Sequence, residues 1–221
     1  MSQRVTALSI IDAIVQDLRR RIYEGDIAQG TALTEAEIAG AYDVARPTAK
    51  AAIERLVADA LLERGAHKTA RVKTLGADSV RDIYLARAYL ESEVVRRLAA
   101  TATVPPEAVR ANAEITARIS QPATTIIDPD MDFHTALVDA MDNIRTSTMY
   151  RSLLGEVRLC MTRVQSLELL DSAKIASEHA SILERIASGD AEGAALALDE
   201  HLAQARELLA AEIEQASDLN S

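Results

Sequence analysis

The amino-acid sequence predicts a mostly α-helical protein in two parts: an N-terminal winged helix-turn-helix and a C-terminal all-α six-helix antiparallel bundle. Three observations lead there. Only 8 glycines and 5 prolines punctuate 221 residues in which Ala, Leu, Glu and Arg are abundant, a composition that favours helix. Apolar positions recur at helical spacing along most of the chain, interrupted by one hairpin-like stretch at 61–74. Charge is unevenly divided: residues 1–74 carry 11 Lys/Arg against 10 Asp/Glu, and residues 75–221 carry 13 against 24. The expected domains are therefore 1–74 and 78–217, with a linker at 74–78 between them.

The first element predicted is a helix over 6–24, because Ile11, Ile14, Val15, Leu18 and Ile22 share one face. Gly25 and the "AQG" ending at Gly30 break it. "TEAE", beginning at Thr34, has the form of a capping box, in which a threonine caps a helix and Glu37 reaches back. That short helix spans 34–41, and "YD" turns the chain. The next helix starts near Pro47, whose fixed φ suits a first turn. It is expected to bury Ala49, Ile53, Leu56 and Val57. "LLE", a turn "RGAHKT" and "ARVKT" then predict a two-stranded hairpin with a basic tip. Beyond the linker only helices are predicted, over 77–102, 106–120, 129–141, 144–169, 172–188 and 190–216. "TVPPE", "QPATTIIDP" and "SGD" mark breaks between them.

The helix beginning near Pro47 carries the first functional signal. A helix entering the major groove of DNA offers its N-terminal residues to bases and phosphates. Arg46 and Lys50 are four apart and share a face, with Thr48 between them. Arginine can fork onto guanine, and lysine suits a phosphate or a single acceptor. His67, Lys68 and Arg71 lie on or beside the wing tip, where a hairpin can touch the neighbouring minor groove. Taken singly these are ordinary surface charges; the capped helix before them and the basic hairpin after them make a DNA-reading surface of the set.

Residues 8–73 resemble the GntR family of bacterial transcription regulators. Gly25, Gly30, Leu33, Glu35, Ala39, Val44, Arg46, Ala52, Leu56 and Leu61 stand where that family's pattern places them. Gln29 replaces the customary proline, Ala45 the serine, and Pro47–Thr48 inverts the usual order. Ala36 stands where many members carry an arginine that contacts DNA, and Thr69 where the wing has glycine. The resemblance implies that Arg46, Thr48, Lys50, His67, Lys68 and Arg71 meet operator DNA.

Three of the four histidines lie in the acidic part. Asp130 and His134 are spaced i, i+4 on one helix face; His179 aligns with Ile175, Ile182 and Ile186; His201 lies beside Leu198, Leu202 and Ala205. A single inward histidine is most often a satisfied core residue. Three on three helices, with an aspartate one turn from the first, make a set suited to a first-row transition metal: Zn²⁺ by default, Ni²⁺ or Mn²⁺ otherwise.

"DPDMDFHTALVDAMDN" and "SEHASILERIASGDAEGAALALDEHL" resemble the FCD ligand-sensing domain carried by many GntR regulators, over about residues 78–215. That resemblance implies Asp130, His134, His179 and His201 as metal ligands, and six helices suit its smaller, VanR-like variant within the FadR subfamily. It also implies a small organic acid as effector. Arg87, in "IYLARAYLESEVV", resembles the opening "R..LE" of the domain, and arginine suits a carboxylate by its forked donors. The competing reading of Arg87 is an ion pair with Glu91 one turn on. Arg158 and Arg163 are weaker candidates.

A metal with open positions also suits an enzyme acting on a small carboxylate. No free acid or base accompanies the set, since Asp132 and Glu178 adjoin ligands and are expected to point away. The sequence therefore predicts a homodimeric, ligand-responsive regulator, with repression the expected sense and no catalysis. Cys160 stands alone, which excludes an internal disulfide and suits a reducing cytoplasm. The amphipathic start is not a signal peptide, and no apolar run approaches the ~20 residues that cross a bilayer.

Overall fold

In the computed structural model, residues 9–65 and 69–218 are described, the side chain of Ser217 excepted. They form two compact units, Met1–Thr74 and Leu75–Ser221.

Among the described residues the first unit begins with α1 (Ile10–Tyr23); residues 6–8 of the expected span lie outside them. Ser9 is extended and its hydroxyl accepts from Asp12 N–H, which caps the helix at Ile10. Ile14, Val15, Leu18 and Ile22 face inward. Gly30, at φ +78°, lets its N–H reach Val72 O at 2.9 Å, a backbone state that side-chain-bearing residues seldom adopt. There the chain enters β1 (Ala32–Leu33), a strand absent from the hairpin expectation. Thr34 then caps α2 (Glu35–Ala41) with both halves of the capping box in place: Thr34 Oγ1 accepts from Glu37 N–H at 3.2 Å, and Glu37 accepts from Thr34 N–H at 3.1 Å. Asp43, at φ +49°, turns the chain into α3 (Arg46–Ala58). Helix α3 buries Ala49, Ala52, Ile53 and Leu56 against α1 and α2. Val57 is only half-buried, and Ala52 takes the place expected for it.

Strands β2 (Leu62–Glu63) and β3 (Ala70–Val72) pair antiparallel, and β1 adds to the other edge of β3, giving the order β1-β3-β2. Leu33 lies opposite Ala70, and Leu62 opposite Val72, all four buried. The wing is thus three-stranded rather than a lone hairpin, because a two-stranded ribbon has no second ladder to hold it.

The second unit is all-helical among the described residues: α4 (Ala77–Ala100), α5 (Pro106–Ala117), a one-turn 3-10 helix (Ala123–Ile126), α6 (Ile127–Asp139), α7 (Ile144–Arg151), α8 (Leu154–Ser166), α9 (Ser172–Ser188) and α10 (Ala191–Asp218). The long helices α4 and α10 pack along each other, with α9 beside both and α6 against α5. The fourth of the six expected spans, 144–169, is broken into α7 and α8. The Ser152 hydroxyl donates to Met149 O at 2.6 Å and Leu153 N–H bonds Tyr150 O at 3.0 Å, so the ladder tightens and restarts, with Gly155 as the second residue of α8. Gly189, left-handed at φ +78°, ends α9. No helix among the described residues is long and apolar enough to cross a membrane.

Candidate functional sites

The core of the second unit is polar at one place. Asp130 and His134 come from α6, one turn apart; His179 comes from the middle of α9 and His201 from α10. All four side chains are buried. Each offers one ligand atom, and these four atoms lie within 4.8 Å of one another. The Nε2 atoms of His179 and His201 are 3.2 Å apart; Asp130 lies 3.6 Å from His179 Nε2 and 3.9 Å from His134 Nε2. Apolar helix faces explain the convergence: each imidazole occupies a core position among Ile and Leu neighbours, so packing the helices brings the rings together.

The outer edges of two rings are held by carboxylates. His134 Nδ1–H donates to Glu91 on α4 at 2.5 Å, and His201 Nδ1–H donates to Glu178 on α9 at 2.7 Å. That arrangement leaves Nε2 of each ring as a lone-pair donor facing the cluster. His179 is held differently, stacked on Phe133 with centroids 3.7 Å apart and planes 6° from parallel. Burial, then the neighbouring His201, His134 and Arg87, hold the His179 imidazole neutral, with its pKa well below the ordinary value. Burial also lowers His134, against the pull of Glu91. Asp130 Oδ1 and His134 Nε2 are buried and make no hydrogen bond. Neutral imidazoles and unpartnered, inward-turned donor atoms fit a divalent cation, because a buried lone pair without a partner is costly.

Arg87 sits behind this cluster on α4, 1% exposed. Its Nε donates to Glu91 at 2.9 Å, and its guanidinium lies 5.4 Å from the centroid of the Tyr84 ring. The ion pair with Glu91 is therefore present, and the same carboxylate reaches His134. Burial raises the Glu91 pKa, but Arg87 and His134 outweigh it and hold the carboxyl at about 2. Arg163 forks onto Glu212 at 2.9 and 3.2 Å, and Arg158 pairs with Asp128. Cys160 is buried, its thiol pushed up to about 12, and so unreactive.

Two side chains escaped the sequence. Glu178, expected to point away, instead orients His201; from residue 178 the direction depends on where α10 lies, which no local spacing records. Tyr150 is buried on α7 beside the Glu91 charge, which with burial raises its pKa, and only the break before α8 places it there. Asp132 does turn elsewhere, into a surface groove of about 480 Å³ between α5 and α6 lined also by Arg110 and Glu114.

In the first unit α3 presents Arg46 at its first turn, exposed, with Lys50 exposed one turn on and Thr48 half-buried between them. Lys50 lies 3.7 Å from Glu54, so that neighbour draws on part of its charge. Arg71 is exposed on β3 and donates to Gly30 O at 3.0 Å, bracing β1 against β3. His67 and Lys68 lie outside the described residues.

Comparison with known proteins adds the following. Residues 10–72 match the family model of bacterial regulatory proteins, gntR family, and residues 82–204 match the FCD domain. The uncharacterized HTH-type transcriptional regulator BphR of Paraburkholderia xenovorans (strain LB400) is 27% identical over 205 residues, covering 83% of this chain and 78% of that protein. The "Probable D-xylose utilization operon transcriptional repressor" of Paenarthrobacter nicotinovorans is 26% identical over 204 residues, covering 91% and 89%. Among solved structures, a chain described as "a putative transcriptional regulator GntR from Rhodococcus sp. RHA1" superposes with a TM-score of 0.76 at 22% identity, covering 91% of this chain and 98% of that one.

Proposed function

Because the chain belongs to the gntR family of bacterial regulatory proteins and carries an FCD domain, we propose that it is a metal-dependent, ligand-responsive repressor whose effector is a small organic acid. Members of this family are transcriptional regulators, not enzymes. One observation carries the sensing half: Asp130, His134, His179 and His201 turn four buried donor atoms toward a common centre, within 4.8 Å of one another. Three imidazoles and one carboxylate suit Zn²⁺, and accept Ni²⁺ or Mn²⁺. A divalent ion held there supplies positive charge and open coordination positions to an incoming carboxylate. Arg87 offers a second fixed positive charge in the same buried network. The name of the Paenarthrobacter relative supports repression as the sense of control.

For the DNA half, Arg46, Thr48 and Lys50 on α3 read the major groove of an operator, and Arg71 with the wing residues His67 and Lys68 follows the backbone. Half-sites of a pseudopalindrome are matched by a homodimer. Effector control requires that the acid bind the DNA-free and DNA-bound states with different affinity. The reading places the protein with the chromosome in the cytoplasm.

The test uses duplex DNA selected from a random pool by the wild-type protein. Arg46→Ala is expected to weaken binding by about 1–3 kcal/mol, ~5- to 150-fold, measured by fluorescence anisotropy at fixed salt. Its metal content, by elemental mass spectrometry, is expected to equal the wild-type value. Unchanged DNA affinity in that variant removes α3 as the reading helix.

A further inference from the structure

Two hydrogen-bond donors from different helices converge on one fully buried carboxylate. Glu91 is 0% exposed. Its Oε1 accepts from Arg87 Nε–H at 2.9 Å and its Oε2 from His134 Nδ1–H at 2.5 Å; the buried Tyr150 hydroxyl lies close enough to feel its charge, which helps raise the Tyr150 pKa. Arginine has no acceptor atom, and the ring edge of His134 facing Glu91 must carry a proton if the other edge is to face the cluster with a lone pair. The residue between them must therefore be acceptor-only. Among side chains of that length, a glutamate alone meets this need.

We propose that Glu91 is the positioning residue of the metal centre: by accepting from Arg87 and His134 at once, it holds His134 in the tautomer that ligates and ties the metal to Arg87. The inference rests on the metal reading above and adds a coupling that the ligand set alone does not contain. Any anion that draws Arg87 toward itself changes the partner sharing Glu91, and so acts on His134 without touching it. Glu91, Arg87 and Tyr84 all belong to α4, so one helix carries both ends of that link.

Glu91→Gln separates the two roles. Glutamine keeps the shape but has one acceptor end and one donor end. With its oxygen toward Arg87, its NH₂ faces His134 Nδ1 and drives the proton to Nε2, where it blocks coordination. With its oxygen toward His134, its NH₂ meets the Arg87 Nε–H, donor against donor. Either way one partner is lost. In Arg87→Met/Glu91→Gln the second conflict is gone, and the amide oxygen is free to accept from His134. Glu178 gives a contrast: its other neighbour is Lys174, exposed and 3.7 Å away, so an amide there can keep its oxygen on His201.

The experiment titrates Zn²⁺ into chelator-stripped, full-length protein against a fluorescent zinc indicator, with circular dichroism to follow folding. Glu91→Gln is expected to weaken Zn²⁺ binding by about 10- to 100-fold. Arg87→Met/Glu91→Gln is expected to recover most of that loss, the non-additivity a shared partner predicts. Glu178→Gln is expected to stay close to wild type. Equal affinity in Glu91→Gln and wild type overturns the proposal, as does a double variant that binds no better than Glu91→Gln. Should Glu91→Gln fail to fold, the double variant decides: near-wild-type affinity supports the proposal and loss of binding overturns it. Wild-type protein that takes up no Zn²⁺ removes the zinc reading itself, a separate result.

Discussion

Gln165 is buried on α8 with both ends of its amide unpartnered among the described residues. An amide left this way costs the desolvation of a donor and an acceptor with nothing returned. Gln165→Met, close in length and apolar, is expected to stabilise the protein by about 1–2 kcal/mol, read as a rise of a few degrees in Tm. A fall in Tm shows that the amide has a partner in solution. The four residues whose donor atoms cluster were legible as candidates at this level because imidazoles on apolar faces stand out against Ile and Leu. Their supporting carboxylates were not. Glu178 reaches a ring 23 positions away on the next helix, and Glu91 reads from sequence as a partner for Arg87 alone. A side chain that bridges two elements carries no spacing rule.

Helix α2 is the element the sequence reads most completely, since its start depends on four consecutive residues. Thr34→Ala removes the side-chain acceptor for Glu37 N–H and is expected to cost about 1 kcal/mol. The check is the chemical unfolding of the full chain followed by a probe in the first unit, with Gln165 left native. No measurable change shows that solvent replaces the cap. Where local signals were weak, boundaries slipped: α1 begins at Ile10 because Ser9 caps it, and β1 has only two residues, too few for a pattern. The joint between α7 and α8 is a matter of hydrogen-bond geometry at Ser152 and Leu153, and Gly155, just inside α8, is the single weak breaker beside it. Yet that joint sets Tyr150 against Glu91.

Acid should weaken the metal-free protein in a defined order. His179 and His134 have folded pKa values below the ordinary 6.5, so under that pH the unfolded chain binds more protons than the folded one. Their contribution is complete above about pH 6.5 and is lost on acidification, with a slope of up to about 1.4 kcal/mol per pH unit for each ring. Glu91, at about 2 against 4.5, adds a second loss as pH falls from 4.5 toward 2. Urea midpoints at pH 7.5, 6.0 and 5.0 test the first step; a flat response shows that the rings are protonated or exposed. Added Zn²⁺ should move the loss to lower pH, because bound imidazoles resist protonation. By itself the sequence determined two helical domains, a cation-led helix in the first and three histidines with an aspartate on the apolar faces of the second. These follow from short-range periodicity and capping, which a few neighbouring residues settle. Only the tertiary structure decided that the four donor atoms meet, that Glu91 serves Arg87 and His134 together, and that Glu178 holds His201, because those distances depend on how separate helices pack.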